Sequence, residues 1–154
     1  MELADFLASD AVKVLPNAAS KKRLLQTIAE TSTDLIGLEP QSVFGALQER
    51  ELLGATGMGR GIAVPHARMA SVKRVVGVFI RLEAGVDFDA IDRQPVDLVF
   101  ALLAPEDAGS DHLKALARVS RTLRDEATCN KLRSTADPTA LFTILTEPLT
   151  SKAA

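Results

Sequence analysis

The sequence predicts an α/β fold, one layered domain in which helices pack around a small sheet. Three observations carry that expectation. Apolar residues recur at helical spacing toward both ends of the chain, two continuous apolar runs occupy its middle, and no internal repeat, linker or low-complexity stretch divides them. At 154 residues the chain can enclose one sizeable core but not two of ordinary size, so a single domain spanning 1–154 is expected, its core over about 12–147.

The elements follow in order. Residues 12–15 (Val-Lys-Val-Leu) suit an edge strand. Leu24, Leu25, Ile28, Ala29, Leu35 and Ile36 then keep three-to-four spacing, with Asn17 or Ser20 able to cap the helix and Gly37 to end it. Pro40 opens a second helix in which Val43, Phe44 and Leu47 share a face and Arg50 lies near the C-terminal end. Four glycines in residues 54–61 predict a loop. Residues 62–64 form a short apolar run, and 75–82 and 96–103 read as buried strands. Between those strands, 83–95 holds Gly85, Asp87, Asp89 and Asp92 and predicts only a brief turn or extended piece. Ser110 or Asp111 caps the next helix, with His112 in its first turn and Leu113, Leu116, Ala117, Ser120 and Leu123 as its apolar face. Lys114, Arg118 and Arg121 repeat on the opposite face, a solvated surface or a docking surface. A short segment at 129–133 and a last helix opened by Asp137-Pro138, carrying Leu141, Phe142, Ile144 and Leu145, complete the pattern, and the tail 150–154 is expected to fray.

Composition removes several functions. A net charge of -2 gives no basic excess for a nucleic-acid backbone. No apolar run is long enough to span a bilayer and the N-terminus has no secretory pattern, so a cytoplasmic protein without membrane insertion is expected. Cys129 is the single cysteine and lacks a neighbouring histidine, which marks a half-buried packing residue. With no Trp and no Tyr, stacking platforms for bases or sugar rings are scarce. The glycine-rich nucleotide loops, zinc-helix and hydrolase-elbow motifs are all absent. Two histidines and one cysteine far apart supply too few ligands for a thiolate or imidazole cage, and Asp87, Asp89 and Asp92 lack the glycine and terminal Glu of a calcium loop. No cofactor and no metal are expected.

The informative stretch runs Gly57-Met58-Gly59-Arg60-Gly61-Ile62-Ala63-Val64-Pro65-His66-Ala67-Arg68. A histidine directly after a short strand and a proline is rigidly held, while the preceding glycines leave room for an anion or a partner. Neutral imidazole can attack phosphorus, and a phosphohistidine stays reactive enough to hand the group on. The moving oxygens need positive groups, for which Arg50, the His112 ring N–H and the N-terminus of the helix carrying His112 are the candidates. On the residues alone, His66 also reads as a structural histidine at a strand end, His112 as a partly exposed helix residue, and Arg50 as a cation complementing the helix dipole.

Gly61-Ile62-Ala63-Val64-Pro65-His66 resembles the phosphorylation-site signature of the mannitol/fructose-type enzyme IIA domains of the phosphoenolpyruvate-dependent phosphotransferase system. Arg50-Glu51, Phe88-Asp89-Ala90-Ile91-Asp92, Pro95-Val96-Asp97-Leu98-Val99-Phe100-Ala101-Leu102-Leu103 and His112-Leu113 extend the resemblance over about 12–145. The wording of 88–103 is nearest the nitrogen-regulatory branch, whose members are free-standing small proteins. The resemblance implies a mixed sheet with helices on both sides and phosphorylation of His66 through Nε2. It also implies that His112 and Arg50 stabilise the phosphate, and that a histidine phosphocarrier protein is the donor. It further implies regulation of protein targets by phosphorylation state. The alternatives are a sugar-transport component passing phosphate to a IIB domain, and a binding module that is never phosphorylated. Arg60 departs from the pattern, where relatives often carry a small or amide residue; it is a surface-loop arginine or a tuner of partner choice.

Overall fold

Ten consecutive residues, Val96–Pro105, form the central strand, and their alternation decides how the molecule is layered. Leu98, Phe100, Leu102 and Ala104 face one core, while Val99, Ala101 and Leu103 face another. The structure, a computed structural model, describes residues 1–147, so the expectation for the tail 150–154 lies outside the described residues.

In chain order the strands are β1 (Val12–Leu15), β2 (Gly57–Gly59), β3 (Ile62–Ala63), β4 (His66–Met69), β5 (Val76–Val86) and β6 (Val96–Pro105). The helices are α1 (Lys21–Ile36), α2 (Pro40–Leu52), α3 (Ser110–Arg124), α4 (Glu126–Arg133) and α5 (Pro138–Thr146). The sheet is mixed, ordered β1-β5-β6-β3-β2, with β4 also paired to β6. β5 and β6 run antiparallel, whereas β1 on β5 and both β3 and β4 on β6 run parallel. Leu24, Leu25 and Ile28 of α1 and Val43 and Leu47 of α2 cover one face with Val78, Ile80 and Leu82. Ala115, Val119 and Leu123 of α3, Leu132 of α4, and Leu141 and Leu145 of α5 cover the other with Phe79. Helices therefore flank the sheet on both sides. Among the described residues no helix is long and apolar enough to cross a membrane.

Several helix ends form as their sequences predict. Ser20 Oγ accepts the Arg23 N–H at 3.1 Å and Gly37 closes α1 in the left-handed conformation. Pro138 follows the Asp137 cap at α5. α3 differs: its N-cap is Gly109, and no side chain caps it.

Other departures have physical causes. The glycine-rich stretch is not all loop, because β2 pairs antiparallel with β3 and needs only backbone groups to do so. β5 runs four residues past the expected end, as Val86 pairs with Val96 and prolongs the hairpin. The buried face of α3 is turned by one residue, to His112, Ala115, Arg118, Val119, Thr122 and Leu123, leaving Leu113 63% exposed. The N-terminal segment explains this rotation. Leu3, Phe6 and Leu7 enter the α3-side core, and Glu2 meets Arg118 Nη2 at 2.6 Å, so Arg118 is buried with a charge partner instead of lying on a solvated face. Cys129 is fully rather than half buried, its Sγ donating to the Leu123 carbonyl at 3.1 Å, and burial pushes its thiol pKa up.

Candidate functional site

His66 is the first residue of β4 instead of the residue after a strand. Its register partner is Leu102, and Ala67 pairs with Leu103. Since Leu102 faces the α3 side and Leu103 the α1–α2 side, alternation turns His66 and Arg68 toward α3. The Pro65 carbonyl accepts the Leu102 N–H at 2.9 Å, so the proline, with no N–H of its own, still ties the chain to β6 just before His66.

The His66 ring is oriented by its own backbone. Nδ1 stands 2.9 Å from the Val64 carbonyl oxygen, which can only accept, so Nδ1 carries the proton and Nε2 the lone pair. Arg50, from the last turn of α2, donates Nε–H to that lone pair at 3.2 Å and Nη1–H to the Gly54 carbonyl at 2.9 Å. Burial lowers the His66 pKa and the Arg50 charge adds to the lowering, while the Val64 hydrogen bond and Glu51 oppose them. The neutral, nucleophilic form is thereby favoured.

Behind the ring lies a chain of fixed contacts. The Glu51 carboxylate is 5% exposed; it accepts the Thr56 N–H at 3.1 Å and the Thr56 hydroxyl, and pairs with Lys21 Nζ at 2.8 Å. Thr56 in turn offers its carbonyl to the Val64 N–H at 3.1 Å. Glu51 thus holds the strand segment whose carbonyl sets the His66 tautomer.

His112 sits in the first turn of α3 and is 4% exposed, not the partly exposed residue that position alone suggests. Its ring centroid is 5.5 Å from that of His66, at an interplanar angle of 66°. Arg68 Nε–H donates to its Nδ1 at 2.9 Å. Burial, then the charges of His66 and Arg68, push its pKa down to about 4, so it is neutral at neutral pH.

Arg50, His66 and His112, from three separate parts of the chain, therefore meet at one point. Arg68 and the supporting role of Glu51 escape a reading by motif alone. The signal for Arg68 was its two-residue spacing from His66, hidden when the strand is ended before His66 instead of begun there. Arg60 lies elsewhere: its N–H donates to Asp92 at 2.8 Å, its carbonyl accepts from Arg133 at 2.7 Å, and its φ of 60° is one that Asn or Gly adopts at lower cost. Gly61 beside it has a φ of +80°, and a Cβ there would meet Arg133 Nη2 at 2.6 Å. Asp87 and Asp92 are engaged with backbone N–H groups of their own loop.

Two histidine rings 5.5 Å apart, with a guanidinium on the lone pair of one, at the edge of a mixed sheet between two helical layers, define an α/β protein whose site can take an anionic group. The chain belongs to the family described as phosphoenolpyruvate-dependent sugar phosphotransferase system, EIIA 2, whose model matches residues 5–147. It is 44% identical over 148 residues to a nitrogen regulatory protein of Bradyrhizobium diazoefficiens, covering 96% of this chain and 97% of the relative. It is 41% identical over 148 residues to the nitrogen regulatory protein of Escherichia coli, covering 96% and 91%. Among solved structures, nitrogen regulatory protein IIA-Ntr of Neisseria meningitidis superposes with a TM-score of 0.88 at 35% identity, covering 94% of this chain and 99% of that one.

Proposed function

We propose that this chain is a phosphoryl-accepting regulator of the nitrogen branch of the phosphotransferase system, working in the cytoplasm. In this reading a histidine phosphocarrier protein donates to Nε2 of His66, and the phosphorylated and free forms engage different protein targets. The observation that carries it is the pairing of Nδ1–H with the Val64 carbonyl, which leaves Nε2 as the lone-pair nitrogen among Arg50 and His112.

The chemistry follows from that arrangement. The Nε2 lone pair attacks phosphorus as the donor's N–P bond breaks, and the donor imidazole leaves with the electron pair of that bond. Nε2 can then no longer accept from Arg50, so the Arg50 Nε–H turns to a phosphoryl oxygen, with His112 as a second donor. Nδ1 keeps its proton, and the Val64 carbonyl, accepting from it, stabilises the positive charge that develops on the ring. Exposed Leu52 and Leu53 follow Arg50, and exposed Leu113 follows His112, giving an incoming carrier protein apolar surface beside the acceptor. Phosphorylation adds roughly 1.5–2 negative charges at neutral pH. That change alters the surface a target meets and supports regulation by phosphorylation state.

Incubation with phosphoenolpyruvate, enzyme I and a matching phosphocarrier protein tests the reading. Wild type should acquire acid-labile, base-stable phosphate, and His66→Ala none. Equal labelling of the two would remove His66 from this role, and pull-downs with phosphorylated protein and His66→Ala that recover the same partners would sink the regulatory reading.

A further inference from the structure

Arg68 stands two residues beyond His66 on β4, and both face the α3 side of the sheet. There its Nε–H donates to Nδ1 of His112 at 2.9 Å. A guanidinium offers no acceptor and stays charged, so Nδ1 must be the lone-pair nitrogen of His112, and the neutral ring carries its proton on Nε2. That Nε2 is buried and has no hydrogen-bond partner among the described residues. A buried donor without an acceptor is rare in a folded protein and calls for an explanation, a ligand atom being one that fits beside His66. The ring that carries it is 5.5 Å, centroid to centroid, from His66.

We propose that Arg68 is a positioning residue: it holds His112 as the Nε2–H tautomer, so that this buried N–H is kept for an oxygen of the phosphoryl group on His66. The proposal rests on the reading of His66 as phosphoryl acceptor. Without Arg68, His112 can carry its proton on Nδ1 or turn its ring over. Part of the population then presents a lone pair where the anionic oxygen has to sit, and the two repel. Arg68 acts in this way through His112 and not by touching the phosphoryl group. Only one of its N–H groups is needed, which makes a lysine at the same position able to replace it in kind.

Two measurements test this on the full chain. Nitrogen-15 NMR of the ring nitrogens of unphosphorylated protein should show His112 with a protonated Nε2 and a bare Nδ1. In Arg68→Met that signature should be lost, and in Arg68→Lys largely kept. Single-turnover transfer from the phosphocarrier should slow on the order of tenfold in Arg68→Met, the low end of what loss of an orienting partner costs a metal-bound histidine. Arg68→Lys should recover most of it. The double variant Arg68→Met/His112→Ala should be no slower than His112→Ala alone. Additive losses in the double variant would overturn the proposal, because Arg68 would then act on the phosphate directly. An unchanged His112 signature in Arg68→Met would overturn it too. Absence of label on wild type would overturn the acceptor reading itself and with it any role of Arg68 in transfer, whereas label on wild type with either of the two preceding results defeats the Arg68 assignment alone.

Discussion

The Arg50 Nε–H points at Nε2 of His66 from 3.2 Å, so the resting guanidinium occupies the lone pair that the proposed phosphoryl transfer would have to free. Under the proposed function Arg50 is both a latch on the unphosphorylated ring and a clamp for the incoming oxygens. Its removal has two separable consequences. Arg50→Ala should slow single-turnover transfer by roughly 100- to 1000-fold, the usual loss for one preorganised donor to developing charge. The same variant should raise the His66 pKa, since the Arg50 charge holds it down. A transfer rate within twofold of wild type, or an unmoved His66 titration, would show that the contact is incidental.

The proposed function gives His112 a different share of the work. His112→Ala should still be phosphorylated but more slowly, and His112→Gln should recover part of the loss because an amide can donate. His66→Gln should recover nothing, as an amide nitrogen is a poor nucleophile. Full labelling of His66→Ala with none on His112→Ala would reverse the two roles.

The buried His112 also ties stability to pH. Its folded pKa of about 4 lies below the ordinary 6.5, so between those values the unfolded chain binds the extra proton and the folded one does not. The stability it contributes is present above 6.5 and is lost as pH falls toward 4, with a slope approaching roughly 1.4 kcal/mol per pH unit. Denaturant melts at a series of pH values should show that fall, and His112→Gln should flatten it; parallel curves would contradict the assignment.

Glu51 should matter to stability and to His66 titration together. Glu51→Gln leaves Lys21 without its carboxylate at 2.8 Å and weakens the hold on Thr56, which should cost roughly 1–3 kcal/mol. Because the Glu51 charge raises the His66 pKa, the variant should lower it further. An NMR titration in which His66 moves up instead would refute the electrostatic part.

A packing control separates fold from chemistry. A Cβ on Gly77, the second residue of β5 and the partner of Leu102 across the β5–β6 pair, would meet Phe100 Cε1 at 2.7 Å. Gly77→Ala should destabilise the fold by about 1–3 kcal/mol and leave the transfer rate of the folded protein near wild type. A large loss of transfer at full folding would mean that Leu102, which pairs with both Gly77 and His66, couples this packing to the site.

Much of this molecule was legible in the chain. The apolar run at 96–103 predicted the strand that became Val96–Pro105, and Ser20, Pro40, Gly37 and Asp137-Pro138 marked helix ends where α1, α2 and α5 begin or stop. Such signals are local: a cap or a fixed φ acts within a few residues. The face of α3 was not legible, because Arg118 reads as solvated until Glu2, 116 residues away, folds back to meet it. Nor was the strand of β2, whose pairing uses backbone groups that every residue has.

Residue order alone is enough to read the α/β layers, the proline that precedes His66, and Arg50 and His112 as its candidate companions. Their meeting, the proton positions on both rings, and the place of Arg68 and Glu51 emerge from the packing of distant segments. A ring's tautomer depends on which atom lies within about 3 Å of each nitrogen. Those atoms, the Val64 carbonyl oxygen for His66 and the Arg68 Nε–H for His112, are brought there by strand register and by the packing of α3, which no local pattern encodes.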